Sequence, residues 1–434
     1  MRNDSRGKRQ TFYAKRVKKT QGNYLQTRDR RSKRLENIKA SAIRRLFGLT
    51  KQIPDVINLG IGEPDFTPPP HILDAVKRAL DDGKTHYVPS NGISELREVL
   101  AKKFSRDYGL FYSPEGEILV TVGATEAVAL ALQALLNPGD EVLIPNPGFV
   151  CYEPAVLIAG GTPISVPILE EDGFKPDIRN VTSLITNKSR VMIINSPNNP
   201  TGAVFSYNEL AELGKLAVEN DLIVVSDEVY DKIIYDNAKH YCLATFPGMR
   251  ERTIVVNSFS KTYAMTGFRV GCAVGPQDLI SAMLLVQQFT VACVDTIAQY
   301  AATAALEGPQ DSVSAMVSMF NKRRRLICER LGEMEHVRCF LPEGAFYAFP
   351  NIKEFEKTSA ELSEYLLKEA RVVVTPGSAF GKYGEGYLRL SYATSYERIA
   401  EALNRIERTI GKLGSRNLRK ASCTGETTGF CHIT

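Results

Sequence analysis

From Glu117 onward the chain alternates short β-rich runs with helical stretches, and this alternation constrains the fold more than any other feature. The runs are Ile118 to Val122, Glu141 to Pro145, Thr162 to Val166, Val191 to Asn195, Leu222 to Ser226, Thr253 to Asn257 and Arg269 to Val274. Their apolar and β-branched character, without strict alternation, suits strands buried on both faces, so the spacing predicts an α/β fold with a mainly parallel sheet between helices. Before it, Leu35 to Leu49, Ile72 to Leu80 and Ser94 to Tyr108 carry helical apolar spacing, with a Pro- and Gly-containing loop at His86 to Gly92. After a long helical stretch from Pro276 to about Gly332, strand-like runs return at Val337 to Phe340, Ala345 to Phe349, Val372 to Val374 and Tyr387 to Tyr392. They predict a smaller α+β domain. The expected division is an arm over 1–34, an N-terminal segment over 35–75 packing with the small domain, a large domain over 76–308, the small domain over 309–411 and a polar, disordered tail over 412–434.

Charge is uneven. The 434 residues carry a formal +5, yet Met1 to Arg34 alone holds 13 Lys or Arg against Asp4 and Asp29, leaving the rest net negative. A basic excess confined to a polar arm gives the folded body no reason to bind nucleic acid. The arm reads as a disordered tail, an organelle-targeting sequence or upstream sequence from an incorrect start, and it has no apolar core of the kind a secretory signal needs. The longest apolar run, Ala127 to Leu136, is about half of the roughly 18 residues a membrane span needs, so no membrane association is expected. Eight scattered cysteines without a CxxC pair suggest reduced thiols and a cytoplasmic protein; with no HExxH, no metal site is expected.

In an open α/β sheet, ligands gather beyond the carboxyl ends of the strands. Four such ends carry chemistry here. Gly123-Ala124-Thr125 opens a helix and offers free N–H groups to a phosphate, or simply caps that helix. Asn195 to Gly202 presents amides on a Pro-punctuated loop, or forms a structural turn. Asp227 puts a carboxylate at the end of an apolar strand, where burial demands a cationic or hydrogen-bonding partner, unless it caps a helix. Lys261 follows the strand Thr253 to Asn257; alone it would read as a solvated lysine. Together an amine, a carboxylate, a phenol, an amide and a phosphate cradle match what pyridoxal phosphate requires.

These residues stand in motifs that resemble the class I/II aminotransferases of fold type I, particularly the aspartate and archaeal aromatic branch, over about Leu35 to Ile410. The motifs are Leu59-Gly60-Ile61-Gly62-Glu63-Pro64-Asp65-Phe66, Asn198-Asn199-Pro200-Thr201-Gly202, Asp227-Glu228-Val229-Tyr230, Ser258-Phe259-Ser260-Lys261 and Leu388-Arg389-Leu390-Ser391. The resemblance implies that Lys261 holds pyridoxal 5′-phosphate covalently and then acts as general base, while Asp227 keeps the pyridine nitrogen protonated. It implies that Tyr230 and Asn199 bond the cofactor's phenolic oxygen, that Ala124, Thr125, Ser258 and Arg269 bind its phosphate, and that Phe149 stacks on its ring. Arg389, with Gly62 and Asn199, would bind the substrate α-carboxylate, and Tyr87 would reach the phosphate of a neighbouring subunit in a homodimer with shared sites.

The same resemblance implies a ping-pong transfer from an amino acid to a 2-oxo acid, with 2-oxoglutarate the expected acceptor. Thr125 stands where some bacterial aspartate enzymes carry Lys, whereas Ser41 to Phe47 and Pro147 to Pro154 look closer to the archaeal aromatic enzymes, so the donor stays open between aspartate and an aromatic amino acid. Two alternatives share the motifs. One is a lyase of the β-lyase or aminocyclopropane-carboxylate-synthase kind. The other is a non-catalytic regulator, which would need a DNA-binding domain where only the 34 residues of the basic arm precede Leu35.

Overall fold

The computed structural model describes residues 32–38 and 53–423. Ser32–Ile38 is a unit of its own, holding one 3-10 turn at Lys33–Leu35. The basic arm before it, most of the helix expected over Leu35 to Leu49, and the Ser41 to Phe47 motif lie outside the described residues.

Within residues 53–423 the strands are β1 (Ile57–Asn58), β2 (Ile118–Thr121), β3 (Glu141–Asn146), β4 (Thr162–Leu169), β5 (Lys175–Pro176), β6 (Ser189–Asn195), β7 (Ile223–Asp227), β8 (Thr253–Ser258), β9 (Gly271–Val274), β10 (Tyr347–Ala348), β11 (Val372–Val373), β12 (Thr375–Pro376) and β13 (Leu388–Ser391). Eight of them form one sheet in the order β2-β9-β8-β7-β6-β3-β4-β5. Strands β8, β7, β6, β3 and β4 run parallel, while β9 is antiparallel to both neighbours and β5 to β4. The sheet is thus the α/β sheet that the alternation predicts. Its central strands are buried almost throughout, as a sheet covered by helices on both faces requires.

One face is covered by the helices Gly123–Leu135 and Gln277–Thr290, whose Ala127, Leu130, Ala131, Ile280 and Met283 pack with Val142, Val225, Ile254 and Val256 of the sheet. Helix Tyr207–Glu219 packs with the other face through Leu210, Leu213 and Ala217, beside Met192 and Val224. Its start is set by a capping box in which Ser206 and Glu209 each satisfy the other's backbone N–H. Helix Ser94–Tyr108 ends at Gly109, in the left-handed conformation that glycine adopts without strain.

A second apolar cluster gathers Phe320 and Ile327 of helix Asp311–Gly332, Phe346, Leu362, Leu390 and Leu403. Around it β10, β13 and β12 make a three-stranded antiparallel sheet, and β1 pairs in parallel with β11, tying the segment before Gly60 to the C-terminal part of the chain. The strand expected over Val337 to Phe340 is reduced to a single bridge, Arg338 to Asn351. Asn351 also bridges Tyr387, so the pairing turns to another partner after one residue. The final helix runs Tyr396–Cys423, well past the start of the polar tail, since its Arg, Lys, Leu and Ala residues are good helix formers whatever their polarity. Residues 424–434 lie outside the described residues. Among the described residues no helix is long and apolar enough to cross a membrane, and no cluster of His, Cys, Asp or Glu could hold a metal ion.

Candidate active site

The carboxyl ends of β6, β7 and β8 and the start of helix Gly123–Leu135 converge on a cavity of about 210 Å³. Its lining brings together Gly62, Ala124, Thr125, Phe149, Asn199, Asp227, Tyr230, Ser258, Lys261, Arg269 and Arg389, every candidate from the sequence but one. Tyr87 is not among them: its side chain is 92% exposed.

Lys261 stands on the short helix Phe259–Thr262 directly after β8, and its Nζ donates to Gly62 O at 2.5 Å. Burial, then the neighbouring Arg389 and Arg269 charges, pull its pKa down to about 8, against weaker opposition from Glu63 and Asp227. An amine so depressed has a far larger unprotonated fraction near neutral pH than an ordinary lysine, and that form is the nucleophile or base. Gly62 has no room for a side chain, because a Cβ there would lie 2.0 Å from the Tyr347 hydroxyl.

Asp227 ends β7 almost wholly buried. Its Oδ2 accepts from the Tyr152 hydroxyl at 2.6 Å and its Oδ1 from Val229 N at 3.3 Å. Burial nevertheless pushes the carboxyl up to about 6, with Glu228 adding to the rise, so those two hydrogen bonds and Lys261 only partly offset desolvation. The donor set calls for a cation facing the carboxylate, which a protonated ring nitrogen would supply.

Arg389, on β13, is buried with neutral partners. It donates to Asn199 Oδ1 at 2.9 Å and to Gly60 O at 2.7 Å, and its guanidinium carbon lies 4.4 Å and 4.8 Å from the ring centres of Tyr347 and Phe380. Its Nε has no hydrogen-bond partner among the described residues. Burial lowers its pKa, an uncompensated cost that an incoming carboxylate would relieve.

At the other end of the cavity the first turn of helix Gly123–Leu135 meets Arg269, whose Nη1 donates to Thr266 O at 3.1 Å. Gly123 has a φ of +75°, and a Cβ on it would stand 2.6 Å from Arg269 Nη2. The glycine therefore keeps open a cradle of helix N–H groups, Thr125, Ser258 and a guanidinium, the donor set for a phosphate. These features together fit pyridoxal phosphate: a phosphate cradle, a depressed lysine and a buried carboxylate in need of a cation.

Sequence reasoning missed Tyr152, Ser260 and Tyr347 in the lining, and gave Asn195, which also lines it, no role of its own. Ser260 sits inside the Ser258 to Lys261 motif and donates its N–H to Ser258 Oγ, so the motif itself could have indicated it. Tyr347, whose hydroxyl is 2.8 Å from that of Tyr230, and Tyr152 reach the cavity only through tertiary folding.

Residues 54–406 match the family model for aminotransferase class I and II. The chain is 48% identical over 381 residues to an aspartate aminotransferase of Pyrococcus abyssi, covering 87% of this chain and 98% of that one. It is 47% identical over 381 residues, with the same coverage, to aromatic-amino-acid aminotransferase 2 of Thermococcus litoralis. Among solved structures it resembles the aromatic aminotransferase of Pyrococcus horikoshii OT3 (TM-score 0.81, 48% identity, 87% of this chain and 100% of that one). It also resembles the Thermus thermophilus aspartate aminotransferase with maleate (TM-score 0.83, 40% identity, 87% and 99%). The fold and the comparisons thus define a transaminase of the fold-type-I α/β class. The chain belongs to the class I and II aminotransferases, a family known to use pyridoxal phosphate.

The Asp227 environment predicts a pH dependence in the cofactor-free protein. Its carboxyl titrates near 6 when folded against an ordinary 3.8. Between those values the folded state holds the extra proton, so this group's contribution to stability falls as pH rises and is lost above about 6. At about 1.4 kcal/mol per unit the effect is roughly 3 kcal/mol. Unfolding of the unaltered protein and of Asp227→Asn, measured from pH 4 to 7, should show the unaltered protein losing ground to the variant over that interval; parallel curves would contradict the assignment.

Proposed function

We propose that the chain binds pyridoxal 5′-phosphate in this cavity and moves the amino group of an L-amino acid, aspartate or an aromatic one, to 2-oxoglutarate by a ping-pong mechanism. The observation that carries the reading is Arg389: a buried guanidinium with only neutral partners among the described residues, lining the same cavity as a depressed lysine and a buried carboxylate. When bound, the cofactor supplies an aldehyde carbon that takes up the amino group and a protonated ring that draws off the electron pair left at Cα.

The chain's own residues do the rest. Arg389 binds the substrate α-carboxylate through its planar fork, and Asn199 fixes the angle of that fork. Lys261 Nζ, the lysine amine lining the cavity, would take the proton from substrate Cα. Asp227 holds a proton on the ring nitrogen, and Tyr152 orients the carboxylate for that task. Tyr230 and Asn199 bond the phenolic oxygen, while Thr125, Ala124, Ser258 and Arg269 hold the phosphate against the helix start. Phe149, half-buried at the cavity wall, covers the ring.

The protein is proposed to act in the cytoplasm as a homodimer with shared sites. Tyr87, projecting into solvent at 92% exposure, is free to reach the phosphate of a second copy. Initial rates with the donor varied at several fixed 2-oxoglutarate concentrations test the kinetic reading. Parallel double-reciprocal lines are expected, and a panel of aspartate, glutamate, tyrosine, phenylalanine and alanine ranks the donors. Intersecting lines, or pyruvate released without any 2-oxo acid, would contradict it.

A further inference from the structure

Asp227 and Tyr230 reach the cavity from one turn, residues 227–231, and the other two acidic side chains of that turn are anchored away from it. Glu228 is buried against Ser226 Oγ at 2.8 Å and His240 Nε2 at 2.9 Å. Asp231, next to Tyr230, accepts through Oδ2 from Lys103 Nζ at 3.0 Å and from the Tyr108 hydroxyl at 2.8 Å. Lys103 comes from helix Ser94–Tyr108, 128 residues earlier, and the side chains of the pair are 7% and 1% exposed.

Lys103 also lies 3.3 Å from Asp107 Oδ2, an oxygen it shares with Lys232 at 2.9 Å. Burial acts to lower the Lys103 pKa, but Asp231 and Asp107 outweigh it and keep the ammonium charged. A buried space of about 10 Å³ is lined by Lys103, Asp231, Ser258 and Thr262. The pair therefore lies beneath both segments that equip the cavity, the Asp227 turn and the Ser258 to Lys261 helix start.

A buried ion pair stabilises a fold little more than an apolar pair of the same shape, because desolvation offsets the attraction. What it does impose is direction: one ammonium fixes the carboxylate adjoining Tyr230. We propose that Lys103 is a positioning residue for amino-group transfer, holding Asp231 so that Tyr230 and Asp227 keep their places at the cavity. The proposal rests on the roles given above to Asp227 and Tyr230.

The test compares three cofactor-loaded variants with the unaltered enzyme: Lys103→Met, Lys103→Met with Asp231→Asn, and Leu213→Ala. Leu213 is buried in the apolar cluster on the far face of the sheet, none of whose members lines the cavity, and serves as a purely destabilising control. A displacement on the order of 1 Å at reacting groups costs about 10²-fold. Lys103→Met should accordingly lower kcat by about 10- to 100-fold with KM changed less than about threefold. The visible circular dichroism band of the bound cofactor should change with it. The single variant loses stability because buried Asp231 loses its salt-bridge partner, while Asp107 keeps Lys232 and Arg106; the double variant should regain much of it, yet keep the low kcat and the altered band. Leu213→Ala should lose stability with kcat and band unchanged. If kcat and the band recover with stability in the double variant, or if Lys103→Met turns over normally, the proposal is overturned. Should the single variant not fold, the double variant decides alone. Absence of turnover in the unaltered enzyme would overturn the reading of the site itself, a separate outcome.

Discussion

Replacing Lys261 with alanine is expected to lower amino-group transfer on the order of 10⁴-fold while leaving the fold standing. Two functions are lost in one change: the amine that holds the cofactor and the base that moves the Cα proton. Among the described residues no other lysine lines the cavity, so none of these lining residues can take over. Structurally the change is mild. Nζ makes its hydrogen bond to Gly62 O, and the short helix carrying Lys261 is capped by Ser258 through the Ser260 N–H, a contact the variant keeps. Steady-state rates read beside the unfolding midpoint separate the two effects. A variant retaining more than a small fraction of activity would defeat the assignment of Lys261.

Arg389→Ala is expected to reduce kcat/KM by about 10²- to 10³-fold, the cost of removing one partner of a buried, hydrogen-bonded charge pair in the complex. Stability should move little or rise. In the free protein the guanidinium is buried beside neutral groups only, and its lost solvation is not repaid until a carboxylate arrives. Were Arg389 a structural salt bridge instead, the sign would reverse and stability would fall with activity. Arg389→Lys should recover only part of the loss, because an ammonium cannot bind a carboxylate through two parallel N–H bonds. Equal losses of kcat/KM for donors with acidic and aromatic side chains would agree with a clamp on the carboxylate they share.

Much of this architecture is legible in the chain because the parallel core writes a strong local pattern. Val191 to Asn195 and Leu222 to Ser226 are apolar runs between amphipathic helices, and their predicted spans differ from β6 and β7 by one or two residues. Direction is less legible: nothing local to Gly271–Val274 distinguishes an antiparallel strand from a parallel one. At Val337 to Phe340 an apolar run was not enough, since pairing also needs a partner, and Asn351 divides its bridges between Arg338 and Tyr387.

The site divides in the same way. Lys261, Asp227 and Asn199 follow strands, so the rule that ligands gather at strand ends finds them. Tyr152 meets Asp227 across 75 residues of sequence and Tyr347 meets Tyr230 across 117, contacts made by tertiary packing with no local signature. Lys103 is hidden for the same reason, being one of several basic residues on an amphipathic helix until the fold lays it against Asp231.

The central claim is that this cavity holds pyridoxal phosphate on Lys261, and the most direct measurement is to fix the bound cofactor with borohydride and map the labelled peptide by mass spectrometry. One phosphopyridoxyl group per chain is expected, on Lys261. A label on another lysine, or no label in protein that demonstrably carries the cofactor, would contradict it.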